Sequence, residues 1–162
     1  MTAPVMMGIS SPTGSHLPAL TAAVSALPSG SPVIEHGVGL YSTPLLARCD
    51  VRVLCAENHP GWFEWARWIY AGRAEFVDSW KRLVPRLADA ALIFIDGTAR
   101  ERGPLLSAAL ERRVPVIVAH DTADKDWPHY DLKPHYFTWS GYTVTHTAED
   151  THRTTTWRLS MS

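Results

Sequence analysis

An α/β fold with a doubly wound, mostly parallel sheet and a C-terminal antiparallel strand pair is predicted by three features of this 162-residue sequence. Five short apolar runs alternate with helix-like segments between Val33 and Ala119, the pattern of strands covered on both faces by crossover helices. Each run ends in polar or acidic residues, where open parallel sheets bind their ligands. The chain then changes character. Tyr136–Thr147 and Thr154–Leu159 are rich in β-branched and aromatic residues and predict the antiparallel pair. No repeat or low-complexity linker divides residues 1–162, which read as one domain.

Met1–Gly14, rich in small residues and proline, is expected to be a flexible lead-in. Leu17, Leu20, Val24 and Leu27 recur at spacings of three and four, which suits an amphipathic helix over Ser15–Leu27. Pro28 to Pro32 breaks it. Val33-Ile34 forms the first strand core and runs into Glu35-His36-Gly37-Val38-Gly39. Ser42-Thr43-Pro44 starts a helix, with a hydroxyl to cap free N–H groups and proline where its missing N–H costs nothing. Val51–Ala56 is the second strand, ending at Glu57, and Asn58-His59-Pro60 opens a helix. Its Trp62, Trp65 and Trp68 recur every third residue and suit core or interface packing. Ala74–Val77 is a weak third strand closed by Asp78, and Trp80–Leu87 has a helical pattern kinked at Pro85. Ala90–Ile95, the most convincing buried strand, ends at Asp96-Gly97. Gly103–Arg113 reads as a helix and Val114–Ala119 as the fifth strand, ending at His120-Asp121. A polar turn around Ala148–His152 is expected to join the last two strands.

Apolar residues make up 46% of the chain, charged residues 19%, and the formal net charge is −1. That balance excludes global disorder and offers no broad cationic surface to nucleic acid or an anionic membrane. Arg100, Arg102, Arg112 and Arg113 read as a solvated helix face. Cys49 and Cys55 cannot make a disulfide framework, so buried free thiols are expected. The first residues lack the basic-then-apolar pattern of a secretory signal, and no run nears the roughly 20 apolar residues of a membrane span. A cytoplasmic protein with no membrane partner is expected. Eight histidines, among them His16, His36, His59, His129, His135, His146 and His152, show no H-x-x-x-H zinc spacing and read as loop residues.

Acidic residues close all five strands: Glu35, Glu57, Asp78, Asp96 and Asp121. Gathered on one rim they repel each other, which points to a ligand bearing hydroxyls, amines or a positive centre. Gly37 and Gly39 let backbone N–H groups approach it. Glu57, about 20 residues further on, suits the two hydroxyls of a ribose. A pyrophosphate is disfavoured, because Ser42-Thr43 stands where a dinucleotide loop has its third glycine and Glu35 would oppose the charge.

From about Pro32 to Asp121 the sequence resembles the class I S-adenosylmethionine-dependent methyltransferases, which have a Rossmann-like sheet. The stretch VIEHGVGLYST resembles the family's acid-x-Gly-x-Gly loop. The resemblance implies that Glu35 lies near the cofactor ammonium, with Gly37 and Gly39 against the cofactor and Ser42 and Thr43 as the hydroxyl pair of the G-x-G-x-S-T branch. It likewise implies Glu57 at the ribose, Asn58 lining the adenine pocket and Asp78 at the adenine amino group. The strand ends at Ile93–Gly97 and Val118–Thr122 are similar to those of small-molecule O-methyltransferases. No D/N-P-P-Y/F tetrad follows the fourth strand, which argues against methylation of DNA amino groups.

The resulting expectation is S-adenosylmethionine-dependent methyl transfer to a hydroxyl of a small molecule. Asp96, which also borders the cofactor, His120 and Asp121 are the candidates for removing the acceptor proton. Asp96 and Asp121 are also weighed as ligands of a divalent cation such as Mg²⁺, against which Thr122 stands in place of the expected Asn. Asp126–Tyr130 is considered as a lid, and substrate capture is assigned to the loop Asp124–Lys133 or to a second subunit in a homo-oligomer. Two alternatives stand beside this: an inactive cofactor-binding or scaffold subunit, and an NAD-dependent oxidoreductase.

Overall fold

The computed structural model describes residues 15–147 and 152–160; the lead-in and turn residues 148–151 lie outside the described residues. Seven strands make one sheet: β1 (Ser31–His36), β2 (Val51–Ala56), β3 (Ala74–Val77), β4 (Leu92–Ile95), β5 (Val116–Ala119), β6 (Tyr142–His146) and β7 (Thr155–Leu159). Their order is β3-β2-β1-β4-β5-β7-β6. The first five run parallel, while β7 lies antiparallel to both β5 and β6. The predicted fold class is the observed one.

Alternation along each strand feeds two cores. Val33, Cys55, Phe94 and Val118 pack under α1 (Leu17–Ser25), α2 (Ser42–Arg48) and α3 (Pro60–Tyr70). Ile34, Ile93, Ile117 and Trp157 face α4 (Ala99–Glu111) and the segment before β6. All four residues of β4 are fully buried, as a central strand covered on both faces requires. In the tryptophan stripe, Trp65 is core, Trp62 meets it edge-on at 5.3 Å, and Trp68 stands 57% exposed.

Three expected elements differ. Trp80–Leu87 is two 3₁₀ segments, Trp80–Arg82 and Val84–Asp89, with i→i+3 bonds from the Leu83, Arg86 and Ala90 N–H groups. Pro85 has no N–H and crowds the preceding turn, so the tighter pattern wins. Tyr136 to Thr138 belong to a 3₁₀ segment, and β6 begins only at Tyr142, after Gly141 turns the chain at φ +86°. α4 starts four residues earlier than Gly103 and carries Pro104 inside it. Among the described residues no helix is long and apolar enough to cross a membrane, and Cys49 and Cys55 are both free.

Candidate functional site

β1 and β4 are neighbours, yet the chain leaves β1 toward α2 on one face and β4 toward α4 on the other. The loops part here and leave a cleft of about 30 Å³, bordered by Gly37, Glu57, Asn58, Asp78, Trp80 and Gly97. Two glycines set its floor. A Cβ on Gly37, which sits at φ +85°, would lie 2.3 Å from the Gly97 Cα, and one on Gly97 would lie 2.6 Å from the His36 ring. Glu57 is fixed by backbone donors: its Oε2 accepts the Val38 N–H at 3.1 Å and its Oε1 the His59 N–H at 2.7 Å. Each oxygen keeps a lone pair for a ligand. Asp78 stands at the outer lip, 3.2 Å from Arg82 Nε, and Asn58 is exposed beside it.

Glu35 is elsewhere. β1 extends two residues beyond its predicted core, so Glu35 lies inside the strand, faces α2 and α3, and is fully buried. Its Oε1 accepts from the Ser42 and Thr43 hydroxyls (2.8 and 2.9 Å), and its Oε2 accepts from the Tyr70 hydroxyl (2.7 Å) and the Cys55 thiol (3.6 Å). The expected direct contact of Glu35, Ser42 and Thr43 with a cofactor is therefore corrected: none of the three has accessible surface. They hold the loop from inside, helped by the bond from the Gly39 N–H to Thr43 Oγ1 at 3.1 Å. The argument from Glu35 charge against a pyrophosphate falls with it.

Burial pushes the Glu35 carboxyl from 4.5 up to about 7, against the hydrogen bonds from Tyr70, Ser42, Thr43 and Cys55 that favour its charge. The folded state thus holds this proton more tightly than the unfolded chain. The contribution is complete below the unfolded value and is lost as pH rises through about 7. Glu35→Gln removes the titrating group. Urea unfolding should show the wild type losing on the order of 3 kcal/mol more than this variant between weakly acidic and alkaline pH. Parallel pH profiles would reject the assignment.

Beside the cleft, the ends of β4 and β5 hold a polar cluster centred on Arg102. Its guanidinium meets Asp96 Oδ1 at 2.9 Å and Asp121 Oδ2 at 3.3 Å, and donates to the carbonyls of Gly97, His120 and Asp96. The Tyr130 ring covers its outer side at 4.2 Å. His120 Nδ1 lies 3.2 Å from Asp96 Oδ1, and its Nε2 lies 2.8 Å from Ser15 Oγ. Burial opposes charging of His120, but the bond and charge of Asp96, with the charge of Asp121, outweigh it and hold its pKa above the ordinary value. Burial also works against ionisation of Asp96, yet Arg102 and His120 bring its pKa below the usual one. His16 packs on Phe94 and edge-on to His120, and burial lowers its pKa to about 4.

No family model matches the sequence, and no curated protein matches it. Solved structures do match in three dimensions. A precorrin-6y C5,15-methyltransferase from Geobacter metallireducens superposes with a TM-score of 0.67 at 15% identity, covering 88% of each chain. An rRNA methylase from Streptococcus thermophilus gives 0.65 at 10%, over 88% of this chain and 95% of that one. The N-methyltransferase NodS from Bradyrhizobium japonicum, in complex with S-adenosyl-L-homocysteine, gives 0.59 at 12%, over 89% and 85%. The fold is that of the class I methyltransferases.

On the methyltransferase fold, the predicted residues divide into three groups. Gly37, Glu57, Asn58 and Asp78 share the cleft. Asp96, His120 and Asp121 meet in the adjoining cluster, and Glu35, Gly39, Ser42 and Thr43 build the supporting loop. The segment Asp126–Tyr130, expected as a lid, does not border the cleft. It packs on α4, where a Cβ on Gly103 would lie 2.0 Å from the Asp131 carbonyl oxygen, and it covers the cluster through Tyr130. An Mg²⁺ ion shared by Asp96 and Asp121 does not fit: the Arg102 guanidinium already bridges the two carboxylates, and the buried Thr122 hydroxyl is spent on Thr155 Oγ1 and the Arg153 carbonyl. Arg102, His16 and His36 were not foreseen. Arg102, only 8% exposed, is no solvated residue, and His36 is a buried partner of Glu101 at 3.0 Å on the cleft wall.

Proposed function

We propose that the protein binds S-adenosylmethionine in the switch-point cleft and transfers its methyl group to a hydroxyl of a small molecule. The observation that carries this reading is the Glu57 carboxylate, held by two backbone N–H groups beside the glycine pair and open to a ribose. Gly37 and Gly97 would bring bare backbone against the cofactor, with Asn58 and Asp78 toward the adenine. The cofactor supplies a methyl on a sulfonium, an electrophile that needs positioning more than activation. Asp96, His120 and Asp121 are proposed on the acceptor side, with His120 Nδ1 paired to Asp96 as the base for a hydroxyl proton.

A second reading, a cofactor-binding subunit without chemistry, is favoured by one observation. The cleft of about 30 Å³ falls far below the roughly 300–1,000 Å³ usual for ligand sites. Turnover against a panel of hydroxylated acceptors separates the two. For the cofactor itself, Glu57→Ala should weaken S-adenosylmethionine binding by at least about tenfold in calorimetric titration, the worth of one or two charge-assisted hydrogen bonds. Unchanged affinity would move the ribose off Glu57.

A further inference from the structure

We propose that His16, Asp96 and His120 form a binding site for a first-row divalent metal ion of the Zn²⁺ kind. Donor atoms of these three side chains lie within 4.8 Å of one another. They come from three separate places in the fold: His16 at the start of α1, Asp96 after β4 and His120 after β5. Two imidazoles and one carboxylate make a donor set suited to Zn²⁺ or its neighbours rather than to Mg²⁺.

The second observation is His16 itself. It is 5% exposed, and neither ring nitrogen has a hydrogen-bond partner among the described residues. Buried polar atoms are seldom left so, because each forfeits its hydrogen bonds to water without replacement. The ring is nonetheless fixed, with its centroid 5.0 Å from that of Phe94 and 4.9 Å from that of His120. A metal bond would satisfy one of the two nitrogens.

The other two donors are arranged to match. Both Arg102 and His120 contact Asp96 through Oδ1, which leaves the second carboxylate oxygen for the ion. The Nδ1 side of His120 faces Asp96, while its Nε2 is anchored by Ser15 Oγ at 2.8 Å and faces Asp121 Oδ1 at 3.6 Å. Such an outer contact orients a ligating imidazole. His152 Nδ1 in turn lies 3.0 Å from Asp121 Oδ1 and braces that partner. The cluster has two carboxylates against one guanidinium, so a cation meets net negative charge. Zn–N bonds of about 2.0–2.1 Å require the donors to close in from their present spacing, a movement that side-chain rotation supplies. With the ion bound, His120 serves as a ligand rather than a free base.

The site stands independently of the cofactor reading, and its test uses the full chain with no S-adenosylmethionine present. Chelator-stripped protein titrated with ZnCl₂ should take up one equivalent, and X-ray absorption at the zinc edge should show imidazole scattering. His16→Gln should weaken Zn²⁺ binding by at least about tenfold, with far-UV circular dichroism unchanged, whereas His135→Ala should not. The proposal is overturned by absence of saturable binding, by an all-oxygen shell, or by affinity that survives His16→Gln and is lost in His152→Ala. The zinc-edge spectrum needs no variant, so it decides the matter even if His16→Gln fails to fold.

Discussion

Arg102→Ala is expected to cost about 3–5 kcal/mol of stability, the penalty for removing one partner of a buried ionic network. Among the described residues the guanidinium is the one Lys or Arg group paired with Asp96 and Asp121, and it also satisfies three carbonyl oxygens. Without it, two carboxylates face each other in a largely buried space. For a chain of this length the loss corresponds to a drop in Tm of roughly 6–20 °C. Arg102→Lys restores the charge but not the planar set of donors, and should recover only part of the loss. Thermal unfolding is best measured in chelator, since a bound metal would stabilise the variant and mask the effect. A loss below about 1 kcal/mol would place Arg102 among ordinary surface ion pairs.

Gly37→Ala should remove cofactor binding and destabilise the fold together. The added Cβ would meet the Gly97 Cα at 2.3 Å and its N at 2.5 Å, both backbone atoms on a neighbouring loop. Such overpacking costs about 1–3 kcal/mol, and the left-handed backbone at φ +85° adds roughly 1 kcal/mol more. The only relief is to push apart the two loops that define the cleft. Gly39→Ala is the control, because its Cβ would meet a side-chain atom, Ser42 Oγ, at 3.0 Å. Affinity for S-adenosylmethionine should fall more than about tenfold in the first variant and much less in the second. Equal effects would mean that the glycine contact does not shape the site.

Much of this architecture was legible in the amino-acid order. The bounds of β2 and β3, the start of α2 at Ser42 and the antiparallel character of β7 follow from local pattern alone, since apolar runs and breakers set them. Glu35 shows where that reasoning fails. Ending the first strand at Ile34 put the acid in a loop, whereas pairing of β1 with β2 through His36↔Ala56 carries the strand past it. Period-two alternation then sends Glu35 into the α2–α3 core and His36 to the α4 side. Arg102 reads from sequence as part of a solvated helix face, whereas the helix begins at Ala99 and turns this side chain onto the ends of β4 and β5. His16 had no local signal. Its role depends on α1 packing across β4 and β5, a contact between residues more than seventy positions apart in sequence, which no periodicity reports.

On the function proposed above, the cleft between the β1 and β4 loops is a nucleoside site for S-adenosylmethionine. Isothermal titration of the metal-stripped full chain with S-adenosylmethionine, and separately with NAD, addresses it directly. Saturable one-to-one binding of the sulfonium cofactor with none of the dinucleotide is the result expected. Binding of NAD, or of neither compound, would overturn that reading of the cleft.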